Sequence, residues 1–289
     1  MLGKSSKREN DVNADAETSG VLIQYVRELS EYLHEKKLSK KAVTLMAAVL
    51  MLAGLLGVKF NADETLLPTG AAVSNRKLPI YCVQTDEPKI ALTFDAAWGN
   101  EDTRQIMEVL KKHDVKVTFF MTGGWVSSYH DDVKYILSEG HDLGNHSENH
   151  KNMSQLSDSE REKELMSVHN KVKELTGYEM FLFRPPYGDY NNEVVKNAEK
   201  CGYYTIQWDV DSLDWKDYGV DSIIKTVTQH KHLGNGSIIL CHNGAKYTAE
   251  ALDTLITTLK DAGYTFVPLS ELIVRENYHM DNEGRQIAD

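Results

Sequence analysis

Cysteine is scarce in this sequence, and its scarcity excludes two kinds of small, cross-linked fold. The chain of 289 residues has three cysteines, Cys82, Cys201 and Cys241, and none of them forms a C-x-x-C pair. An odd, scattered set of this kind is neither a disulfide framework nor a zinc knuckle. Cys241 lies in an apolar run, so we interpret it as a buried packing residue and not as a nucleophile.

Basic residues and phosphate-binding glycine motifs are also in short supply. Lys and Arg total 32 against 43 Asp and Glu, which gives a net charge of −11. Duplex nucleic acid needs a basic footprint, so it is excluded as the main partner. No G-x-G-x-x-G follows the first predicted strand, and G-x-x-x-x-G-K-[ST] occurs nowhere. We therefore predict no nucleic acid and no nucleotide among the partners.

Only one long apolar run occurs, at residues 42–58, and it contains no charged side chain. A bilayer core requires about 20 apolar residues, with a range of roughly 17–25. A buried helix and a secretory signal are the alternatives, but 41 residues precede the run, which disfavours a signal peptide. The run follows a lysine cluster, and positive flanks stay in the cytoplasm. We predict a single-pass membrane anchor with the N-terminus in the cytoplasm and everything after Lys59 outside the cell membrane.

The rest of the chain divides around this run. We predict a cytoplasmic segment at residues 1–41, a linker at 59–86, an α/β domain at 87–271 and a polar tail at 272–289. In the domain, β-rich runs alternate with helical patterns, which implies parallel β-α units. The predicted strands are 90–94, 115–121, 142–145, 180–183, 204–210, 237–241 and 265–268. The predicted helices are 100–113, 157–176, 191–201, 220–232 and 249–262. Seven strands suit a barrel or an open doubly wound sheet.

Chemically capable side chains follow five of these strands at the point where each strand ends. The carboxyl ends of parallel strands meet on one face, where the active sites of α/β proteins lie. One such residue would mean little, but five in succession predict a site. They are Asp95, His146 with His150, Arg184, Asp211 with Asp214 and Trp215, and His242.

The H-x-x-x-H spacing of His146 and His150 predicts a metal site if the segment is helical, since positions i and i+4 share a helix face. Two solvated loop histidines are the alternative. The second position is Ser147, so the H-E-x-x-H motif is absent and a general base must come from elsewhere. Asp95 is the nearest candidate, or else a helix-capping residue.

Three further residues fit a hydrolytic site. Arg184 would hold Asp95 ionised, unless it forms only a surface ion pair. The turn after Arg184 leaves the backbone N–H of Tyr187 free to face an oxyanion. His242 could act as a general acid whose pKa is raised by Asp211. Trp215 offers a flat face for a sugar ring, or packs in the core.

Taken together, these segments resemble the five ordered motifs of the NodB-homology polysaccharide deacetylases, carbohydrate esterase family 4. The resemblance covers about two-thirds of the chain, from Glu87 to Glu271. The motifs read Thr93-Phe94-Asp95, His146-Ser147-x-x-His150, Arg184-Pro185-Pro186-Tyr187-Gly188, Asp211-x-x-Asp214-Trp215 and Leu240-x-His242.

The resemblance implies a distorted (β/α)7 barrel that hydrolyses the N-acetyl groups of amino-sugar polymers, such as peptidoglycan or chitin-like chains. It also implies a divalent metal, usually zinc, held by an aspartate and two histidines, here His146 and His150. By the family pattern Asp95 is the base and Arg184 orients it. His242 is the acid.

The remaining positions follow the same pattern. Asp211 would tune the acid, and the Tyr187 N–H would help to bind the oxyanion. Trp215, Leu240 and Pro186 would line the substrate groove, with Leu240 at the acetyl methyl group. The partner implied is a cell-wall polysaccharide.

The first motif departs from the family in one position. The usual T-F-D-D-G reads Thr93-Phe94-Asp95-Ala96-Ala97-Trp98-Gly99 here. Ala96 therefore stands where the family has the aspartate that binds the metal. This variant is similar to that of a membrane-anchored, sporulation-associated branch. Glu148, Asn149, Glu101, Asp102 and Asp95 itself are candidate replacements. Three hypotheses follow: an active metal-dependent deacetylase, a silent glycan-binding protein on the same fold, and an O-acetyl esterase.

Overall fold

The computed structural model describes residues 76–289. The predicted cytoplasmic segment, the predicted anchor at residues 42–58 and most of the linker lie outside this range. Within the described range, no helix combines the length and the apolar character that crossing a bilayer requires.

A curved sheet of parallel strands forms the centre of the fold. The strands are β2 (Lys89–Ala96), β3 (Thr118–Met121), β4 (Asp142–Asn145), β5 (Leu182–Phe183), β6 (Tyr204–Thr205), β7 (Val210–Asp211), β8 (Ile238–Asn243) and β9 (Thr265–Phe266). Their order in the sheet is β6-β5-β4-β3-β2-β8-β7, and β9 pairs with the start of β2. The expected α/β architecture is confirmed as a half-barrel of parallel strands.

The central strand β2 shows how the sequence builds two faces. Ile90, Leu92 and Phe94 pack into the large cluster that also contains apolar side chains from the surrounding helices. Ala91 belongs to a second cluster on the inner face, and successive side chains of a strand point to opposite faces. Because both faces are covered, β2 is apolar on both, and Asp95 at its end is an exception that the inner face must accommodate.

In the described range, seven helices pack on the outer face of the sheet. They are α1 (Thr103–Lys112), α2 (Gly123–Ser128), α3 (His130–Ser138), α4 (Asp158–Thr176), α5 (Asn192–Lys200), α6 (Val220–Thr228) and α7 (Thr248–Asp261). A further short helix, α8 (Leu269–Leu272), packs into the inner-face cluster. The five predicted helices are present as α1, α4, α5, α6 and α7, with ends that differ by at most four residues. Helices α2, α3 and α8 were not predicted from the sequence.

One predicted strand, residues 204–210, is wrong as a single element. It divides into β6 and β7, which lie at the two ends of the sheet. The chain between them is held from both sides: Ile206 forms a parallel bridge with Ile80, and the Asp209 N–H donates to the Ile238 carbonyl at 3.3 Å. The segment between β6 and β7 thus spans the gap between the two edge strands of the half-barrel, which a closed barrel would pair with each other.

Residues 272–289, the predicted polar tail, take part in a second, smaller sheet. Strands β10 (Tyr278–Met280) and β11 (Arg285–Ala288) form a small sheet with β1 (Cys82–Val83), in the order β1-β11-β10. Gln286 is fully buried in it. The segment is polar in composition but supplies a strand whose backbone groups pair with β1.

Candidate active site

Asp95 lies near the carboxyl end of β2, where it forms a buried ion pair with Arg184. The Arg184 guanidinium donates to Asp95 Oδ1 and to Thr93 Oγ1, both at 2.8 Å, and both charged residues are buried. Burial opposes ionisation of Asp95, but the charges of Arg184, His146 and His242 outweigh it and lower the pKa of the carboxyl group. The surface-pair alternative for Arg184 is thus excluded, and Asp95 is held as a carboxylate.

The two terminal nitrogens of the Arg184 guanidinium are both hydrogen-bonded, whereas its buried Nε has no hydrogen-bond partner among residues 76–289. Its guanidinium also donates to the Gln207 carbonyl at 3.1 Å and lies 4.2 Å from the ring centroid of Phe120. A buried charge persists only when it is paired and hydrogen-bonded. On the inner face, Arg184 is therefore positioned to hold the Asp95 carboxylate in one orientation.

His146 faces Asp95 from the end of β4. Its Nδ1 lies 2.8 Å from the Arg184 carbonyl, which can only accept, so Nδ1 carries the proton and Nε2 does not. That Nε2 lies 3.5 Å from Asp95 Oδ2. Burial lowers the pKa of His146, and burial with the neighbouring His146 lowers the pKa of His150 to about 4. Both imidazoles are neutral at pH 7.

The segment between the two histidines is a loop and not a helix, so the helical argument for their spacing is wrong. Ser147 and His150 adopt positive φ values of 66° and 54°. The Ser147 hydroxyl accepts from the His150 N–H at 3.0 Å. This turn brings the two rings to a centroid distance of 4.9 Å, so they meet for a different geometric reason.

His242 is held by Asp214 and not by Asp211. Its Nδ1 lies 2.7 Å from Asp214 Oδ1, and its backbone N–H donates to Asp214 Oδ2 at the same distance. Thr248 donates to that Oδ2 as well. Burial opposes the charged imidazole, but the hydrogen bond and charge of Asp214 outweigh it and raise the pKa of His242. Asp211 instead accepts from the Leu213 N–H and reaches His242 only through space.

Asp95, the two histidines of the loop and His242 line one cleft of about 720 Å³. The predicted residues that line it are Asp95, His146, His150, Tyr187, Asp211, Trp215, Leu240 and His242. Sequence reasoning missed other lining residues, including Trp98, Trp208, Asp217 and Lys246. Pro186 was predicted to line the groove, but it is buried within the turn after β5 and is not part of the cleft lining.

The turn that carries Tyr187 has an unusual backbone. Tyr187 has a φ of 61° within the short 3-10 turn Pro186–Gly188. A non-glycine residue in this region is uncommon and often belongs to a functional site. Its ring is exposed and packs against that of His150 at a centroid distance of 4.6 Å. The oxyanion role of its N–H stays a prediction.

Comparison with known proteins decides the family. A protein-family model described as "Polysaccharide deacetylase" matches residues 83–206. Peptidoglycan-N-acetylmuramic acid deacetylase PdaA of Bacillus subtilis is 36% identical over 208 residues, which cover 69% of this chain and 77% of PdaA. The chain belongs to the polysaccharide deacetylase family.

Solved structures of the family agree. Wild-type BA3943 of Bacillus anthracis, described as a CE4 family pseudoenzyme, is 37% identical with a TM-score of 0.64, covering 72% of this chain and 69% of that one. A BA3943 mutant described as having restored enzymatic activity is 38% identical at the same TM-score, with 72% of each chain covered. Other relatives are longer, since the match spans 60% of the B. subtilis protein YlxY.

The metal centre of the family is not reproduced by the residues present. Between residues 76 and 289, no three His, Cys, Asp or Glu side chains are placed to hold one ion. Ala96 is buried and offers no donor, and Asp95 Oδ1 is held by Arg184. His146 and His150 remain as two imidazoles, whereas catalytic zinc has three protein ligands.

The other predicted replacements for the missing ligand are engaged elsewhere. Glu148 pairs with Lys171, and Asn149 bonds to Glu164 through its backbone and side-chain amides. Asp102 accepts from the Gly244 N–H at 2.9 Å. Glu101 accepts from a neighbouring backbone N–H. Within this part of the chain the structure thus contains the Asp95–Arg184 and His242–Asp214 pairs but not a complete set of metal ligands.

Proposed function

We propose that this protein hydrolyses N-acetyl groups on an acetylated amino-sugar polymer of the cell wall, of the peptidoglycan or chitin-like class. One observation carries the proposal: Asp95 and His242 line the same cleft, and each is held from behind by a buried, oppositely charged partner, Arg184 and Asp214 respectively. A carboxylate with a lowered pKa and an imidazole with a raised pKa divide the roles of base and acid. Membership of the deacetylase family supports the reaction class.

The residues define the proton path of the reaction. Asp95 takes a proton from water as the water oxygen bonds to the acetyl carbonyl carbon. His242 uses Nε2 to give its proton to the sugar nitrogen, because Nδ1 is engaged with Asp214. The C–N bond then breaks and releases acetate and an amine. Leu240, on the inner face of β8, supplies an apolar contact for the acetyl methyl group. No metal step is assigned, because the described ligand set is incomplete.

Acetate release tests this proposal directly. The full-length protein should release acetate from peptidoglycan fragments and chitin oligomers, and Asp95→Asn should abolish release while the protein stays folded. General acid–base catalysis contributes about 10²- to 10⁴-fold, so the loss should be of that order. Absence of release from the wild-type protein, tested both with chelator and with added zinc, would refute the proposal.

A second function deserves the same test, because one observation favours it. Ala96 removes a metal donor, and BA3943, described as a pseudoenzyme, is similar over 72% of this chain. On this alternative the protein binds cell-wall glycan without cleaving it. Glycan binding without acetate release, and with no zinc retained on purification, would favour the binding protein over the enzyme.

We also propose the location. The apolar residues 42–58 and the lysines before them support a single-pass anchor with an outward-facing catalytic domain. Protease added to intact protoplasts should then remove the domain, whereas lysed protoplasts serve as the positive control. Protection in intact protoplasts would contradict this topology.

A further inference from the structure

Exposed aromatic side chains concentrate around the candidate cleft. In the described part of the chain the large exposed apolar residues are Trp98, Tyr187, Trp215 and Tyr218, with exposures of 61%, 65%, 56% and 69%. The first three line the cleft. An apolar patch left in water at the mouth of a polar cleft marks a ligand-binding surface. Trp98 is the member that no motif role explains.

Trp98 sits beside the histidines on the cleft wall. Its ring meets that of His150 edge-on at a centroid distance of 4.9 Å. His150 contacts the rings of His146 and Tyr187 in turn. The indole thus extends a row of rings from the buried site outwards, and more than half of its surface still faces water.

The backbone around Trp98 is fixed even though the ring is exposed. Gly99 adopts a φ of 59° and its carbonyl accepts from the Trp125 indole N–H at 2.6 Å. A Cβ atom at Gly244 would lie 2.5 Å from the Trp98 carbonyl oxygen, so glycine is required there for the loops to approach this closely. A rigid support lowers the entropy that a contact residue loses on binding.

The chemistry of the cleft indicates what this ring would hold. Its floor presents carboxylate and imidazole groups, which suit hydroxyl and amide groups, and its rim presents indole and phenol rings. A pyranose has the matching character, with polar edges and a face of C–H bonds that packs on an aromatic ring. A cleft of about 720 Å³ has room for more than a single acetyl group.

We propose that Trp98 is a substrate-binding residue that stacks on a pyranose ring of the glycan, in the cleft that the motif residue Trp215 also lines. The inference rests on the proposed glycan substrate but not on catalysis. Trp98 stands two residues after Ala96, so the segment that lacks the metal donor presents a sugar contact in its place.

Calorimetric titration of the full-length protein with a tetramer of N-acetylglucosamine tests this. Trp98→Ala should weaken binding about tenfold or more, as expected for an aromatic hot spot. Trp98→Phe retains a ring and should stay within about threefold of the wild type. Tyr218→Ala is the matched control, since Tyr218 is equally exposed but does not line the cleft. In acetate release, Trp98→Ala should raise KM more than it lowers kcat, because stacking acts before and during the reaction alike.

The outcomes separate this inference from the proposed reaction. Unchanged affinity in Trp98→Ala would overturn the role of Trp98, even if acetate release is normal. If Trp98→Ala weakens binding but the wild-type protein releases no acetate, the sugar-binding role of Trp98 is supported and the proposed deacetylase activity is refuted. A wild-type protein that does not bind the tetramer would overturn the sugar contact. A fall in kcat alone would assign Trp98 to the positioning of His150 and not to substrate.

Discussion

Two aspartates act on His242, and hydrogen-bond geometry separates their effects. Asp214 contacts both Nδ1 and the backbone N–H of His242, whereas Asp211 caps the turn at Leu213. The motif positions could be predicted from the sequence, because the polar residues follow successive strands. Which aspartate reaches His242 depends on the positive φ of 54° at Leu213, which reverses the chain between the two carboxylates and has no sequence signal.

This assignment predicts a shift in the pH profile. The raised pKa extends to higher pH the range in which His242 is protonated, so activity should fall as pH rises through that pKa. Asp214→Asn removes a charge-assisted hydrogen bond of about 1.5–3 kcal/mol, which lowers the pKa and moves the alkaline limb down by about 1 to 2 pH units. The measurement is kcat/KM against pH. Asp211→Asn should shift the limb by a smaller amount, and a larger shift in Asp211→Asn would reverse the assignment.

Position 96 carries a second residue-scale prediction. Ala96→Asp adds a carboxylate next to Asp95 and should raise zinc affinity about tenfold or more, since even outer-shell partners change affinity about 10- to 100-fold. Ala96→Asn supplies similar volume without charge and is the control. Zinc content by mass spectrometry is the readout. Because Ala96 is buried, thermal unfolding must be recorded too, and unchanged zinc binding in a folded variant would show that the ligand site is built elsewhere.

Among the elements, the helices with clear boundary signals were the ones predicted well. Helix α4 begins after Ser157, whose hydroxyl accepts a hydrogen bond from the Glu160 N–H. The Glu160 carboxylate in turn accepts from the Ser157 N–H. This capping box is visible in the sequence as Ser-x-x-Glu. Helices α2 and α3 were missed because α2 begins with Gly123 and Gly124 and both are short, and short helices depend on tertiary packing more than on propensity.

The capping box should contribute measurably to stability. Ser157→Ala removes the hydroxyl that satisfies an otherwise free helix N–H, and we expect a loss of about 1 kcal/mol, within the range of about 0.5–2. The measurement is urea unfolding followed by circular dichroism. Ser138→Ala is the control, because this exposed hydroxyl bonds only to the Tyr135 carbonyl within its own helix. Equal losses in the two variants would argue against a specific capping effect.

At the scale of the whole molecule, the two ends of the described chain pair with each other. Strand β1 lies parallel to β11, with Cys82 opposite Arg285 and Val83 opposite Gln286. The C-terminal segment is polar in composition and, unlike residues 80–83, lacks an apolar run that would predict a strand. Their pairing is a long-range contact between segments about 200 residues apart, which local patterns do not encode.

Gln286 lets the importance of this pairing be measured. Its side chain acts like a backbone unit: Oε1 accepts from the Val274 N–H at 2.8 Å and Nε2 donates to the Val274 carbonyl at 2.7 Å. Gln286→Ala leaves both backbone groups without this partner, and an unsatisfied buried group costs about 1–3 kcal/mol. We therefore expect a loss of about 2 kcal/mol or more in the free energy of unfolding.

Urea unfolding of the full-length protein checks this value, and Gln84→Ala is the control because Gln84 adjoins the same sheet with an exposed side chain. A loss in Gln286→Ala alone, with a single cooperative transition, would show that the C-terminal strands unfold together with the half-barrel. An early separate transition would mean that the small sheet is an independent unit, since local regions can open below the global free energy. If both variants match the wild type, the C-terminal strands contribute nothing measurable, and the segment behaves energetically as the tail that its composition suggests.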